Sequence, residues 1–509
     1  MFPCRGSSLD KPLDMTPFRY ISQPFVLLLG AGVIAVAFGC NSTSQDAHDA
    51  GPDGGEPEEV DWQAEFDHVF PTDRVVQIHI DFHDSTAYDQ MVAAAAADSN
   101  DTPFFMADFT FDDEQVTDVG VRLKGNSSLW NSADGQQKSF KVHFEEYVDG
   151  QSFHQVDRLN LHNGFMDPSL MRESLAYGLA NELGLVAPRT AHAEVWVDGE
   201  RHGLYMMVQQ VDSRFLKERF GEEDHADDGN LYKCYDGCPL GYWGDDPEYY
   251  QGYPPDGIPS PPCDDATDEC GLQLKTNEDD PALNDFSDVI ELVKAIDGVL
   301  QDPSGSATDQ LEAVFDIEHY VRFQAWSLVL SNLDSYFGSA HNFYLYHRPA
   351  DDRFQFVPWD VNLAFGTFEC PEFCSEQEPT LEVDLLLPCF DEDADPPPAD
   401  RPKPLVGVVL QVPGYRELYC EALETLVGAV YSVSAQQDRI AELHAILDGP
   451  RQEPAVMSQP PFDFSYQDYL TAQSDTPDVV FGQKAIHALG YFDQARIQNV
   501  VEQMELLCP

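Results

Sequence analysis

Apolar and polar residues alternate along this chain with two different periods, and the change from one to the other separates a strand-rich part from a helix-rich part. The run VVQIHIDF, Val75 to Phe82, alternates residue by residue and predicts a strand with one buried face. Tyr88 to Asp98, with its five alanines, predicts a helix, and FFMADFTFD and VTDVGVRLKG then read as two paired strands. KSFKVHF, Lys138 to Phe144, alternates in the same way, so this region predicts a sheet with one face buried and one open. From Pro168 to Leu185 the period lengthens. Leu170, Leu175, Leu179 and Leu183 recur at helical spacing, Asp167 or Ser169 can cap the start, and Gly184 can close the end. AHAEVWVDGERHGLYMMVQQVD predicts a hairpin turning at Asp198-Gly199. Phe286 to Leu300 and Ile317 to Leu330 predict two more helices, the second of which delivers Asn332 and Asp334 at its end. Strands first and helices after make an α+β chain with a β-rich N-terminal lobe and a helical C-terminal lobe. No internal repeat is present.

Two stretches interrupt these patterns. Residues 234–285 are rich in Pro, Gly, Asp and Tyr and carry Cys234, Cys238, Cys263 and Cys270, which predicts a disulfide-stapled surface insertion; Asp391 to Pro402 is a second acidic, proline-rich loop. At the N-terminus, Lys11 and Arg19 precede an uncharged run from Phe25 to Phe38, short for a membrane span and of the right length for a signal-peptide core. It ends in Ala37-Phe38-Gly39-Cys40. A small residue before a cysteine, with a polar stretch after it, is the pattern of a lipoprotein processing site with lipid on Cys40; ordinary secretory cleavage with Cys40 incidental is the alternative. From Asn41 to Phe70 there is no Lys or Arg, and the composition is too polar to bury. The expected organisation is therefore a signal peptide over 1–39, an acidic disordered tether over 40–70, and one domain over 71–509. The expected location is the cell envelope, at the outer membrane or cell surface through the lipid anchor alone, and otherwise the secreted fraction.

The formal net charge of −62 excludes nucleic acid as a partner, because a phosphate backbone requires a basic surface. Hydrophobic residues still make up 43% of the chain, enough for a core, so the acidity belongs to the surface. Setting aside Cys4 and Cys40, nine of the 11 cysteines remain. Cys370 and Cys374 form another close group, while Cys389, Cys420 and Cys508 stand alone. In an exported protein these read as disulfides. A zinc site is the rival, although no group has C-x₂-C spacing beside His. An odd number leaves one thiol free or paired outside the chain.

The most informative segment is NLDSYFGSAHNFYLYHRPADDRFQFVPWDVNLAFG, Asn332 to Gly366. FYLYH and RFQFV around a Pro-Ala-Asp-Asp-Arg turn predict a hairpin, with Asp334 and Asn342 before it and Asp360 at its exit. A hairpin brings its ends together, so these three should share one small volume. Two carboxylates and an amide are hard oxygen ligands of the kind that Mg²⁺ with phosphates requires, and a base Asp and ligand Asn before a hairpin with a ligand Asp after it is the order used in phosphoryl transfer by protein kinases. The same residues also serve as turn formers that bond their own backbone. Arg122, Lys124, Lys138 and Lys141 concentrate positive charge in one strand-loop-strand segment of an acidic chain, where they offer cations for phosphates or are simply solvated. His162, His341 and His347 receive no role, and no G-x-S-x-G nucleophile motif is present.

N-x-D, HN-F-Y-L-Y and PWD-x-N-L-A-F-G, together with GVRLKGNSS, KSFKVHF, RLNLHNGFMDPSLMRESLA and GLYMMVQQVDSRFL upstream and RPKPLVGVVLQVPGYRELYCEAL downstream, resemble the ordered blocks of the spore-coat CotH kinase-like family. The resemblance covers roughly residues 75–430. It implies an atypical protein kinase fold, ATP and Mg²⁺ as cofactors with Mn²⁺ or Ca²⁺ as alternatives, and transfer of the γ-phosphate to Ser or Thr of a surface or envelope protein. On that basis Asp334 is the base that orients the acceptor hydroxyl, and Asn342 and Asp360 hold metal. Lys138 matches the family's lysine before Ser and is the favoured phosphate contact, on the strand side of Phe140 and Val142; Lys141, facing the other way, is second, with Arg122 and Lys124 beside them. The chain also departs from the pattern. Asn342 lies eight residues after Asp334 where kinases have five, Asn362 stands where the family more often has Asp and would make a second metal site weaker, and Gln209 stands where it often has Glu. Glu173, beside Arg172, is a possible replacement partner for the lysine. A CotH-like adhesin or envelope-assembly protein of weak or no activity is the alternative reading.

Overall fold

The structure is a computed structural model that describes residues 60–508 apart from 98–101, 126, 133–134, 222–224, 236, 252–270, 369–379, 387–402, 456–463 and 482–483. The expected signal peptide, Cys40, the acidic loop of 391–402, and Cys263, Cys270, Cys370, Cys374 and Cys389 lie outside the described residues. Among the described residues no helix is long and apolar enough to cross a membrane.

Seven strands build the N-terminal lobe: β1 (Val75–Phe82), β2 (Phe105–Phe111), β3 (Glu114–Lys124), β4 (Ser139–His143), β5 (Arg158–His162), β6 (Thr190–Val197) and β7 (Glu200–Gln209). They close into a barrel of order β1-β2-β3-β4-β5-β7-β6. Closure was not part of the expectation from the alternation: β6 pairs with β1 in parallel, from Val75↔His192 to Ile80↔Val197, and removes both free edges. The alternation itself holds. Ile78, Ile80, Phe109, Val121, Leu123, Phe140, Val142, Leu161 and Met207 fill the interior. The tether expected over 40–70 is corrected at its end, because helix α1 (Trp62–Val69) adds Phe66 and Val69 to that core; α2 (Ala87–Ala97) adds Ala87 and Met91, and the short α3 (Ser127–Trp130) follows β3.

The C-terminal lobe surrounds a four-stranded sheet ordered β11-β10-β8-β9, made of β8 (Leu231–Cys234), β9 (Leu272–Leu274), β10 (Phe343–Arg348) and β11 (Arg353–Pro358). The insertion is therefore more than a surface loop, since its Leu272–Leu274 segment is an edge strand. Around the sheet lie α4 (Arg172–Glu182), α5 (Ser213–Phe220), α6 (Ser287–Gln301), α7 (Gly305–Val314), α8 (Ile317–Val329), α9 (Pro404–Gln411), α10 (Pro413–Thr425), α11 (Val433–Gln452), α12 (Tyr466–Thr471) and α13 (Leu489–Leu507), with a separate hairpin of β12 (Asp478–Phe481) and β13 (Lys484–His487). α4 begins later than its leucine spacing suggests. Leu170 is left-handed, with φ of 57°, and the Asp167 carboxylate accepts from the backbone N–H of Ser169 and Arg172, so Pro168 to Met171 form a turn that feeds the helix. Gly184, at φ of 79°, closes the far end as expected.

Two disulfides bind the described residues. Cys234–Cys238 staples the end of β8, and Cys420–Cys508 joins α10 to the residue after α13, across 88 positions. The second pairs two cysteines that stand apart from the local groups in sequence, in keeping with the reading of the cysteines as disulfides. α13 is also held by a fully buried guanidinium: Arg496 donates to the carbonyls of Leu328, Val329, Leu381 and Val383 and to Asn499. Leu328 and Val329 end α8; the Leu328 carbonyl also accepts from the Ser331 N–H, so it is the Val329 carbonyl that this side chain supplies with a donor the helix lacks.

Candidate active site

The outer face of the barrel next to the C-terminal lobe is unusual in a chain of this charge. Register places Arg122 of β3 opposite Lys141 of β4, Lys141 opposite Asn160 of β5, and Asn160 opposite Val208 of β7. Directly paired residues share a face, so Arg122, Lys141 and Asn160 form one polar row while Leu123, Phe140 and Leu161 point into the barrel. One step along, Lys124 and His162 extend the same face. Met206 and Val208, on that face of β7, belong to the core of the helical lobe. The basic row therefore stands at the seam between the lobes.

Lys124 is the centre of the seam. Its Nζ donates to His162 Nε2 at 2.7 Å, and His162 Nδ1 donates to the Glu173 carboxylate at 2.9 and 3.1 Å. These partners assign the neutral Nδ1–H tautomer to the ring. Glu173 is buried in the first turn of α4. Donor atoms of His162, Glu173 and Asp360 lie within 4.8 Å of one another. Asp360, left-handed at φ of 54°, is positioned by its backbone N–H, which donates to the Tyr177 hydroxyl of α4 at 2.9 Å. Trp359 supplies the wall: Lys124 Nζ stands 5.5 Å from its ring and His162 meets it edge-on. Burial lowers the Lys124 ammonium to about 8; Asp360 and Glu173 oppose that shift, while Lys233 and Arg122 add to it. Lys141 is pushed well below the usual lysine range by burial and then by the surrounding cations Lys124, Arg122, Arg158 and Lys233. Such crowding of cations in a row that carries no anion of its own is an arrangement that a bound polyanion relieves.

The other side of the hairpin entrance holds a second cluster. Phe343 pairs with Pro358 at the open end of β10 and β11, so Asn342 precedes and Trp359-Asp360 follows the last pair. The Asp334 carboxylate accepts from Asn342 Nδ2 at 3.1 Å and from Ser339 Oγ at 3.0 Å, and lies 2.8 Å from His341 Nε2. Asn342 Nδ2 also donates to the Asp334 carbonyl, which turns the amide oxygen of this left-handed residue, φ 58°, toward the remaining side. Asp334 and Asn342 are in direct contact, as an eight-residue loop closed on itself permits.

The remaining sequence candidates have other partners. Lys138 is buried, and its Nζ donates to the Ser132 carbonyl at 2.8 Å, within the segment ahead of β4. Arg122 donates to Thr102 and to the Leu123 carbonyl and lies over Phe104. Asn362 donates to the Phe165 carbonyl at 3.0 Å and so ties the hairpin exit to the loop before α4. Gln209 accepts from the Arg189 backbone N–H and stands near Glu218, on the far side from Lys124, so the departure at this position does not touch the lysine. His162, given no role from the sequence, is the residue that links Lys124 to Glu173. The alternation of Arg158, Asn160 and His162 against Leu159 and Leu161 held the signal for it. Arg172, fully buried on Asp167 and Thr367, locks the segment after Asp360 onto α4.

The donor set fits Mg²⁺ with a nucleoside phosphate. Asp360 and Glu173 bring carboxylate oxygens within 4.8 Å of each other beside Lys124, Asn342 stands with Asp334 in the second cluster, and Lys124 and Lys141 are the seam cations that suit phosphate oxygens. A family model described as CotH kinase protein matches residues 121–461, more than half of the chain. The inner spore coat protein H of Bacillus subtilis (strain 168) is similar to it, with 25% identity over 251 residues, 49% of this chain and 59% of that protein. The match thus spans less than two thirds of that relative's length.

Proposed function

The chain belongs to the CotH kinase protein family, and from that premise we propose that it transfers the γ-phosphate of ATP to Ser or Thr hydroxyls of a surface or envelope protein, using Mg²⁺. The observation that carries this reading is Lys124 at the seam, with its amine between the His162–Glu173 pair and Asp360. A kinase couples its phosphate lysine to a helical Glu and sets both against a metal-binding Asp; here the coupling runs through an imidazole. Lys124, rather than Lys138, is accordingly the proposed phosphate contact, with Lys141 and Arg122 extending the cationic row. Bound to Asp360 and Asn342, Mg²⁺ would supply charge neutralisation on the phosphates. Asp334, held by Ser339, His341 and Asn342, is the proposed acceptor of the incoming hydroxyl's hydrogen bond, and His341 beside it can take up the proton as the Ser or Thr oxygen attacks. Tyr177 fixes the backbone of Asp360, and Trp359 excludes water from the lysine.

Export and lipidation at Cys40 belong to the same proposal. The Cys234–Cys238 and Cys420–Cys508 disulfides support it, because such bonds persist in oxidising compartments. Mass spectrometry of the mature N-terminus tests the lipid; an unmodified terminus or retention of residues 1–39 removes it.

The active-site assignment is tested by calorimetry of ATP with and without Mg²⁺ and by transfer of labelled phosphate to envelope proteins. Asp360→Asn is expected to remove most Mg²⁺-dependent ATP binding. Asp334→Asn is expected to keep ATP bound and lower transfer by about 10²- to 10⁴-fold. If the wild-type chain binds no ATP, or both variants keep wild-type transfer, the adhesin or envelope-assembly reading takes the place of this one.

A further inference from the structure

Away from the seam, on the outside of the barrel, three segments distant in sequence bring two imidazoles and a carboxylate to one point. His68 comes from the last turn of α1, Glu114 begins β3, and His154 sits in the turn between β4 and β5. His68 Nε2 lies 2.8 Å from Glu114 Oε1, and His154 Nε2 lies 3.0 Å from Glu114 Oε2. The rings are 4.1 Å apart between centroids, and one donor atom from each of the three residues falls within a 4.8 Å sphere of separations. The other nitrogen of His154, Nδ1, is held by the Glu65 carboxylate of α1 at 2.7 Å. Phe153 and Phe111 back the rings with apolar surface.

We propose that His68, His154 and Glu114 form a binding site for a divalent transition metal of the zinc class, oriented by Glu65 and separate from the phosphotransfer site. Three features carry it. Two imidazole nitrogens and one carboxylate oxygen are a zinc donor set that leaves a fourth position for water or a ligand. A metal-bound His typically passes its other N–H to a carboxylate, and Glu65 on His154 Nδ1 is that outer partner. The donor separations fit as well, since ligand atoms around tetrahedral zinc stand about 3.3 Å apart. The present 2.8 and 3.0 Å contacts need to open by only a few tenths of an ångström, and His68 and Glu114, each about 40% exposed, can move that far.

Occupied, the site would staple α1, the helix that leads out of the N-terminal segment, to the barrel wall. The test uses the full chain after chelator treatment. Titrated with Co²⁺, the wild type is expected to take up an equivalent that gives visible d–d absorption, that Zn²⁺ displaces, and that His68→Gln/His154→Asn loses. Asn at 154 tolerates the left-handed φ of 47° that His154 adopts, so the fold is kept. Glu65→Gln should weaken Co²⁺ about 10- to 100-fold without removing it. Zn²⁺ should raise the melting temperature of the wild type and not of the double variant. Mg²⁺-dependent ATP binding should be the same in both, which separates this site from the phosphotransfer reading. Equal Co²⁺ uptake and equal spectra in wild type and double variant overturn the proposal and leave the cluster as ion pairs only.

Discussion

With its ammonium brought down to about 8, Lys124 is charged at neutral pH and loses that charge in mildly alkaline solution. Phosphate needs the charged form, so ATP affinity is expected to fall as pH rises through about 8. In Lys124→Arg the fall should vanish, because guanidinium does not titrate there. Lys124→Met should lower affinity about 10- to 100-fold below pH 8, the value of a charge-assisted hydrogen bond, and by progressively less above it as the wild-type amine loses its charge. Calorimetry of ATP between pH 6.5 and about 9.5 checks all three. Folding stability moves the other way. The folded value lies below the ordinary 10.5, so between the two the unfolded chain binds more protons, and stability contributed by this residue rises with pH across that window. The residues at the hairpin were legible beforehand because Asp334, Asn342 and Asp360 are tied by local spacing to two short strands. The choice among four basic residues was not. Lys138 and Lys124 differ in what they touch across the lobes, and the proposal of Lys124 rests on His162 and Glu173, which come from other elements.

Among the elements, α8 decides where Asp334 lies, and its C-terminal carbonyls are finished by Arg496 of α13. Arg496→Met keeps the bulk of the side chain and removes its bonds to Leu328, Val329, Leu381 and Val383. Leu328 still accepts from the Ser331 N–H and Val383 from Gln503, so Val329 and Leu381 are the carbonyls left without a donor; at about 1–3 kcal/mol each, a loss of about 2–6 kcal/mol is expected in denaturant unfolding, with the proposed transfer falling before the fold is lost. Strand and helix identities were readable from period alone, and β1, β2, β3, β4, the β6–β7 turn and α8 stand where the pattern placed them. Barrel closure was not readable, because alternation says which face a residue takes and nothing about which distant strand becomes its neighbour. The start of α4 was misjudged for a local reason: Leu170 keeps helical spacing but sits in a left-handed turn that Asp167 closes.

For the molecule as a whole, the two disulfides contribute unequally. Closing a loop of about 90 residues removes chain entropy worth about 4–5 kcal/mol, whereas the short Cys234–Cys238 loop is worth about 2. Cys420→Ser/Cys508→Ser is therefore expected to lower the melting temperature more than Cys234→Ser/Cys238→Ser, and reductant should lower the wild type toward the weaker pair of variants. Thiol counting under denaturing conditions should find few free thiols in the purified chain. The bond from α13 to α8 has a further consequence, which concerns time. A ribosome makes residue 496 long after Lys124, Asp334 and Asp360, yet the guanidinium at 496 completes the helix from which Asp334 emerges. A chain halted at residue 480 is expected to carry the barrel, the cationic row and the hairpin while lacking the proposed transfer, which would then arise only at the end of synthesis.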